Sequence, residues 1–299
     1  MSLEASLVNF LLRHGVKHRT RPDASIAELR ATADRIGRLF PEPPRHVRRE
    51  EARVAGRDAL FLTAEGADPR RTILYLHGGG YVSGTIAMYR DLARRLSQAS
   101  RARVLLVDYR LAPEHPFPAA IEDAVAAYRF LLERGHAPSS LAIAGDSAGG
   151  GLTLATMLSL RDAGDPLPAA AFVMSPWTDL AYTGESHRTN READPFIRAD
   201  LIRPTVDRYL RDVHPRTPLA SPLFAELHGL PPTLVHVGST EVLLDDSRRL
   251  VSRFEAHGSP AHLRVYDALP HVFHLFAPYV REARAAIREA GEFLAARME

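Results

Sequence analysis

Gly145-Asp146-Ser147-Ala148-Gly149 is a G-x-S-x-G sequence set between the apolar run LAIAG and the stretch AGGGLTLATMLSLRDAG, whose apolar spacing is helical. A serine hydroxyl is a weak nucleophile until a base takes its proton and the backbone holds it clear of its neighbours. Glycines on both sides permit the sharp strand-to-helix turn that does the holding, because no side chain then crowds the strained serine backbone. The chemistry this allows is attack by Ser147 on an acyl carbon, with Asp146 read as a structural part of the turn. Upstream, LYLHGGGYVSG closes another apolar run at His77-Gly78-Gly79-Gly80. Successive glycines let several backbone N–H groups point at one spot, which is what a developing oxyanion needs. A phosphate loop is the alternative, but no lysine follows as in a P-loop and no G-x-G-x-x-G opens a helix. His77 lacks companion ligands for a metal and reads as structural, hydrogen-bonded within its own loop.

An activated serine needs a base and a carboxylate. Of the 14 histidines, the candidates after the last apolar strand are His271 and His274, in DALPHVFHLF. His271 follows a strand end directly, beside Pro270, whereas His274 is expected to face the closing helix. The stretch HVGSTEVLLDDS at 236–247 supplies three carboxylates, Glu241, Asp245 and Asp246, just beyond the strand-like TLVHVGS. Glu241 is among the first residues past the strand, where strand ends present catalytic groups. Asp245 and Asp246 precede the helical SRRLVSRFEAHG, where carboxylates cap free N–H groups and complement the helix dipole.

The elements that must position these residues alternate in type. SLVNFLLRHG and SIAELRATADRIGRLF have helical spacing and end at the break PEPPRH. From about Arg45 the pattern turns to strands, in HVRREEARVA, DALFLTAEG and TILYLHGGG. Strands and helices then take turns through RVLLVDYR, LAIAGDS, AAAFVMSPW, TLVHVGS and AHLRVYDALP to the closing YVREARAAIREAGEFLAARM. Continuous apolar strands between amphipathic helices predict a mostly parallel sheet covered on both faces, a doubly wound α/β protein. Residues 180–215, rich in Arg, Asp and Pro, fit the alternation poorly and read as an insertion over the working edge of the sheet. At 299 residues, with 45% hydrophobic and 25% charged residues, the chain has the proportions of a globular protein that buries a real core. The absence of cysteine excludes disulfides, thiolate metal sites and a cysteine nucleophile. A formal net charge of +2, with basic and acidic residues interleaved, argues against nucleic acid as a partner.

Taken together, HGGG followed by GDSAGG, with DYRLAPEHPFPAA at 108–120 and SPWTDL at 175–180, resembles the hormone-sensitive-lipase family of α/β-hydrolases. The similarity runs from about Ile73 to the last residues. It implies one α/β-hydrolase domain over residues 1–299, with a helical cap formed by residues 1–44 and 180–215. It also implies an oxyanion hole made by the N–H groups of Gly79, Gly80 and Ala148, and an ion pair of Arg110 with Glu114 bracing the oxyanion loop. Trp177, Tyr81 and Phe273 become candidate pocket walls, with ordinary core packing an equal explanation for each. The family's acid stands in D-P-L-x-D and its histidine in D-x-x-H-G-F. Aligning EVLLD puts Glu241 at the acid, with Val242 in place of proline and Asp245 at the second aspartate. LPHVF keeps His271 and replaces the glycine with Val272. The order Ser147, Glu241, His271 is that of α/β-hydrolases.

The resemblance implies a serine carboxylesterase for short to medium acyl-chain esters, with a small-molecule ester substrate and neither cofactor nor metal. An amidase or thioesterase on the same site is the alternative within enzymes. A catalytically silent binding protein on this scaffold is the alternative outside them, although such a protein is expected to lose the histidine that is present here. The first residues do not read as a signal peptide and no stretch reaches the roughly 20 apolar residues of a membrane span. A cytoplasmic protein without an integral membrane segment is therefore expected. HLRVYDA, as the last strand, would form a sheet edge able to pair two subunits in a homodimer.

Overall fold

A computed structural model of the chain describes residues 1–21 and 23–299. Eight strands form a single sheet: β1 (Arg48–Val54), β2 (Arg57–Thr63), β3 (Asp68–Leu76), β4 (Ala102–Val107), β5 (Leu141–Asp146), β6 (Ala170–Met174), β7 (Thr233–Gly238) and β8 (Ala261–Tyr266). Their order is β1-β2-β4-β3-β5-β6-β7-β8. The β1–β2 and β2–β4 pairs are antiparallel, and every later pair is parallel. The expected α/β fold is present, with β8 at the edge.

Alternation along each central strand divides the core into two layers. Ile73 and Tyr75 of β3 join Ala142, Ala144 and Phe172 beneath helices α3 (Ile86–Ser100) and α9 (Arg281–Ala295). Leu74 and Leu76 join Ile143 and Val173 beneath α4 (Ala119–Glu133), α5 (Ala148–Ala163) and α8 (Leu244–Ala256). Because both faces are covered, β5, β6 and β7 are buried at every position. This is why they read as unbroken apolar runs instead of alternating ones.

The two segments outside the alternation lie together. α1 (Leu3–Leu12), a π-helical turn at Arg13–Lys17 and α2 (Ile26–Gly37) precede the sheet, and Ser25 and Glu28 close a capping box at the start of α2. α6 (Ser186–Thr189) and α7 (Ala199–Leu210) lie between β6 and β7. Lys17 Nζ donates to the carbonyls of Arg191 and Asp194, each at 2.7 Å. Tyr209 of α7 stacks on Tyr81 with ring centroids 3.8 Å apart. Among the described residues no helix is long and apolar enough to cross a membrane.

One buried pair predicts how stability responds to acid. His236 of β7 and His274 touch through Nδ1 and Nε2 at 3.1 Å, packed on Phe172. Burial disfavours the imidazolium form of both, holding His236 at about 3 and His274 well below 6.5. Unfolded histidine titrates near 6.5, so below that pH the unfolded chain binds protons that the folded chain refuses. Stability is therefore expected to fall as pH drops from about 6.5 toward 3. Urea midpoints at several pH values, for the wild type and a His236→Gln, His274→Gln double variant, check this. The variant should lose less stability on acidification, and an equal loss would reject the pair as the cause. A comparison is needed because Asp146, which burial raises to about 6, contributes with the opposite sign.

Candidate active site

Ser147 occupies the tight turn between β5 and α5 at φ 52°, ψ −122°, a left-handed region that L-residues avoid. Its N–H donates to Met174 O and its carbonyl accepts from Trp177 N, which fastens the turn to the end of β6. A Cβ on Gly149 would lie 2.0 Å from Leu76 O, so only glycine lets the helix pack this close to β3. The serine thus stands at the first turn of a helix whose dipole favours negative charge nearby.

The glycine loop lies beside it. Gly79 and Gly80 have φ of 118° and 65°, and a Cβ on Gly79 would meet Ser83 O at 2.1 Å. Among the described residues the N–H groups of Gly79, Gly80 and Ala148 donate to no other protein group. Gly78 N, by contrast, donates to Asp146 Oδ1, which also accepts from Tyr75, while Tyr89 donates to Asp146 Oδ2. Asp146 therefore joins the glycine loop to the serine turn, the structural task expected of it. His77 bonds the carbonyl of Gly78 through Nδ1 and stacks on Tyr109, a loop-internal role as expected.

His271 and Glu241 meet at the ends of β8 and β7. Nδ1 of His271 lies 2.7 Å from Oε2 of Glu241. An ionised carboxylate only accepts, so the ring proton sits on Nδ1 and Nε2 is left as the basic nitrogen. The other carboxylate oxygen, Oε1, accepts from Gly238 N at 2.5 Å and Ser175 Oγ at 2.8 Å. Burial by itself would lower the pKa of His271. The hydrogen bond and charge of Glu241, with Asp194 and Asp146 behind, outweigh it and leave the pKa raised above 6.5. Val272 follows at φ 48°, a β-branched residue in left-handed backbone, with its N–H held by Ser175 Oγ.

Ser147 and His271 line one cavity of about 240 Å³, whose far wall is built by Val16, Leu29 and Ile36 from the N-terminal helices and Phe196 and Leu201 from the insertion. The bond that His271 makes runs to Glu241, and the serine hydroxyl shares the cavity without being bonded to the ring. Ser147 also borders a second cavity of about 190 Å³ against Trp177 and Leu243. The geometry can therefore bring an acyl carbon to Ser147 beside three free amides and a basic imidazole. Among the described residues no group of three or more His, Asp or Glu side chains is arranged to hold a metal.

Several expectations are corrected. Arg110 pairs with Asp123 and Glu122 near the start of α4, and Asp123 also takes Arg110's own N–H, which turns the guanidinium away from Glu114. Glu114 pairs instead with Arg30 of α2, which also donates to the carbonyls of Val82 and Ala112 and so braces the glycine loop. Asp245 and Asp246 lie in the first turn of α8 and suit its dipole, but they do not cap it. Asp246 accepts from the N–H groups of Thr178 and Asp179, just before the insertion, and Asp245 from that of Ser186 within it. Of the candidate walls only Trp177 borders a cavity with Ser147. Tyr81 is committed to Tyr209, and Phe273 packs in the core on Tyr266. His274 is fully buried in its pair with His236 and faces neither cavity. Sequence reasoning passed over Arg30, Ser175 and the buried carboxylate Asp194, because an isolated polar residue in a helix face or loop carries no periodic signal.

Comparison with known proteins gives a consistent picture. Residues 73–275 match a family described as having the alpha/beta hydrolase fold. An acetyl-hydrolase of Streptomyces hygroscopicus is 48% identical over 236 residues, 78% of this chain and 79% of that protein. An esterase of Acinetobacter venetianus is 37% identical over 266 residues, 89% and 87% of the two chains. Among solved structures, an esterase from the bacterial hormone-sensitive lipase family superposes with a TM-score of 0.95 at 43% identity, over 100% of this chain and 99% of that one. The esterase EstE5, soaked with p-nitrophenyl butyrate, does so with a TM-score of 0.93 at 43% identity, over 99% of each chain.

Proposed function

Because the chain belongs to the hormone-sensitive-lipase family of α/β-hydrolases and is a carboxylic ester hydrolase, we propose that Ser147, His271 and Glu241 carry its reaction and that Gly79, Gly80 and Ala148 form the oxyanion hole. The observation that carries this reading is the 2.7 Å contact of His271 Nδ1 with Glu241 in a cavity shared with Ser147. Nε2 of His271 takes the Ser147 proton as Oγ attacks the ester carbonyl, and the three amides receive the oxyanion. Collapse expels the alcohol, which takes the proton back from His271 and leaves an acyl-serine. Water, deprotonated by the same nitrogen, then releases the acid and restores the serine.

Residues 1–44 and 180–215 serve as the cap, since both supply walls to the larger cavity. Each cavity is smaller than the roughly 300 Å³ at the lower end of drug-sized pockets, which favours short acyl chains. Turnover is therefore expected to be fast on p-nitrophenyl acetate and butyrate and to collapse on the palmitate. A profile rising toward palmitate would reject the short-chain reading. Matched esters, thioesters and anilides of one acyl group test the leaving group, with the ester expected to be cleaved fastest.

A further inference from the structure

We propose that Asp194 is a positioning residue for the catalytic acid, holding with Asn190 the peptide that joins Glu241 to Val242. The inference rests on the reading of Glu241 as that acid. Asp194 is fully buried and is the only charged side chain so buried between residues 180 and 215. No cation pairs with it among the described residues. Its Oδ1 accepts from the N–H groups of Phe196 and Ile197 at 2.8 and 2.9 Å, and Oδ2 accepts from Val242 N at 3.0 Å. Asn190 Nδ2 donates to Glu241 O at 2.9 Å. Both polar ends of one peptide unit, the carbonyl of Glu241 and the N–H of Val242, are thus gripped by one short segment.

The chemistry says why a carboxylate is kept there. A buried, unpaired charge is costly, so a neutral residue is preferred unless the charge has work to do. Asparagine would serve the local turn equally well, since one acceptor satisfies Phe196 and Ile197. Its amide would then turn an NH₂ toward the Val242 N–H, donor against donor. Only a carboxylate accepts on both sides. Val242 also stands where the pattern D-P-L-x-D has proline, which has no N–H to be held and fixes its own φ. Here the restraint on the acid's turn comes from Asp194 instead.

The segment is itself anchored from the N-terminal arm. Arg13 donates to the carbonyls of Glu192 and Ala193, and Lys17 to those of Arg191 and Asp194, so four consecutive carbonyls are held. The line of contact runs from the arm through residues 190–194 and the peptide 241–242 to Glu241 and His271. Asp194 touches neither substrate nor His271. It acts through the placement of Glu241 and through its charge, which together with Glu241 and Asp146 favours the imidazolium form of His271.

The test is a double-mutant cycle in the full-length chain with p-nitrophenyl butyrate. Asp194→Asn is expected to lower kcat about 10- to 100-fold, with KM changed by less than about 3-fold, because a misplaced acid costs turnover more than binding. The pH at which kcat/KM reaches half its plateau should also move down, since a negative charge near the imidazolium has gone. In a Glu241→Gln background the same change should have almost no further effect. Losses that multiply across the two sites, or an Asp194→Asn enzyme with unchanged kcat and pH profile, would overturn the proposal while leaving Glu241 as the acid. A Glu241→Gln enzyme with near-normal kcat would instead remove the underlying reading, and the proposal with it. Should Asp194→Asn fail to fold, Asn190→Ala strands no buried charge and carries the same cycle, with a smaller expected loss that must again vanish in the Glu241→Gln background.

Discussion

Ser147→Ala is expected to lower kcat by about 10⁶-fold, to the level that the oxyanion amides and binding sustain alone. The size follows from the site. The other hydroxyls lining the cavity, those of Thr20, Thr32, Ser83, Tyr89 and Thr205, each donate to another protein group, so none is poised to substitute as nucleophile. Single-turnover and steady-state rates with p-nitrophenyl butyrate provide the measurement, and retention of a tenth of wild-type kcat would end the hydrolase reading of this site. A companion variant separates chemistry from backbone. Ser147 sits at φ 52°, where an L-residue costs of order 1–3 kcal/mol and glycine far less. Ser147→Gly should therefore be as inactive as Ser147→Ala but melt at a higher temperature.

Glu241→Gln is expected to lower kcat by about 10³- to 10⁴-fold without unfolding the protein. Oε1 of Glu241 accepts from both Gly238 N and Ser175 Oγ, so the glutamine carbonyl takes that side. Its NH₂ then faces Nδ1 of His271, which becomes an acceptor. The ring proton is driven to Nε2, and the nitrogen that should receive the serine proton already carries one. Asp245→Asn and Asp246→Asn, whose carboxylates hold backbone N–H groups of Ser186 and of Thr178 and Asp179, should chiefly lower the melting temperature. A large kcat loss in Asp245→Asn beside near-normal turnover in Glu241→Gln would mean that the wrong carboxylate is named.

How much of this was legible beforehand depended on what kind of signal each residue carries. Ser147 and the glycine loop were readable because strained turns demand glycine at fixed offsets, and Gly79, Gly80 and Gly149 meet those demands in the structure. The strand and helix alternation was readable because burial on both faces writes itself as continuous apolar runs. His271 and Glu241 were placed by strand-end position and pattern, and they do meet. Val272 shows what the pattern encoded, since the position of the missing glycine has φ 48° and valine there stores backbone strain. The pairing of Arg110 with Glu114 was misjudged because proximity in a loop does not reveal which way a long side chain turns. Asp194 was invisible for a related reason. Its Oδ1 serves the local N–H groups of Phe196 and Ile197, but the partner of Oδ2, Val242 N, lies in a turn 48 residues away, and nothing in READPF announces it.

The parallel pairing of β3, β5, β6, β7 and β8 has a consequence for how the chain becomes an enzyme. Parallel neighbours cannot close as hairpins and must wait for the crossovers between them. The glycine loop, the serine turn and the proposed acid and base hang from β3, β5, β7 and β8, so only a stretch of chain that runs from β3 past β8 contains the whole centre. During refolding, helical circular dichroism should return while the protein is still inert, because helices form from local contacts and these strand ends come together only when the sheet is complete. Turnover is then a clock for the last step of folding, and a protein molecule in which β8 alone has come away from the sheet has already displaced the loop that carries His271.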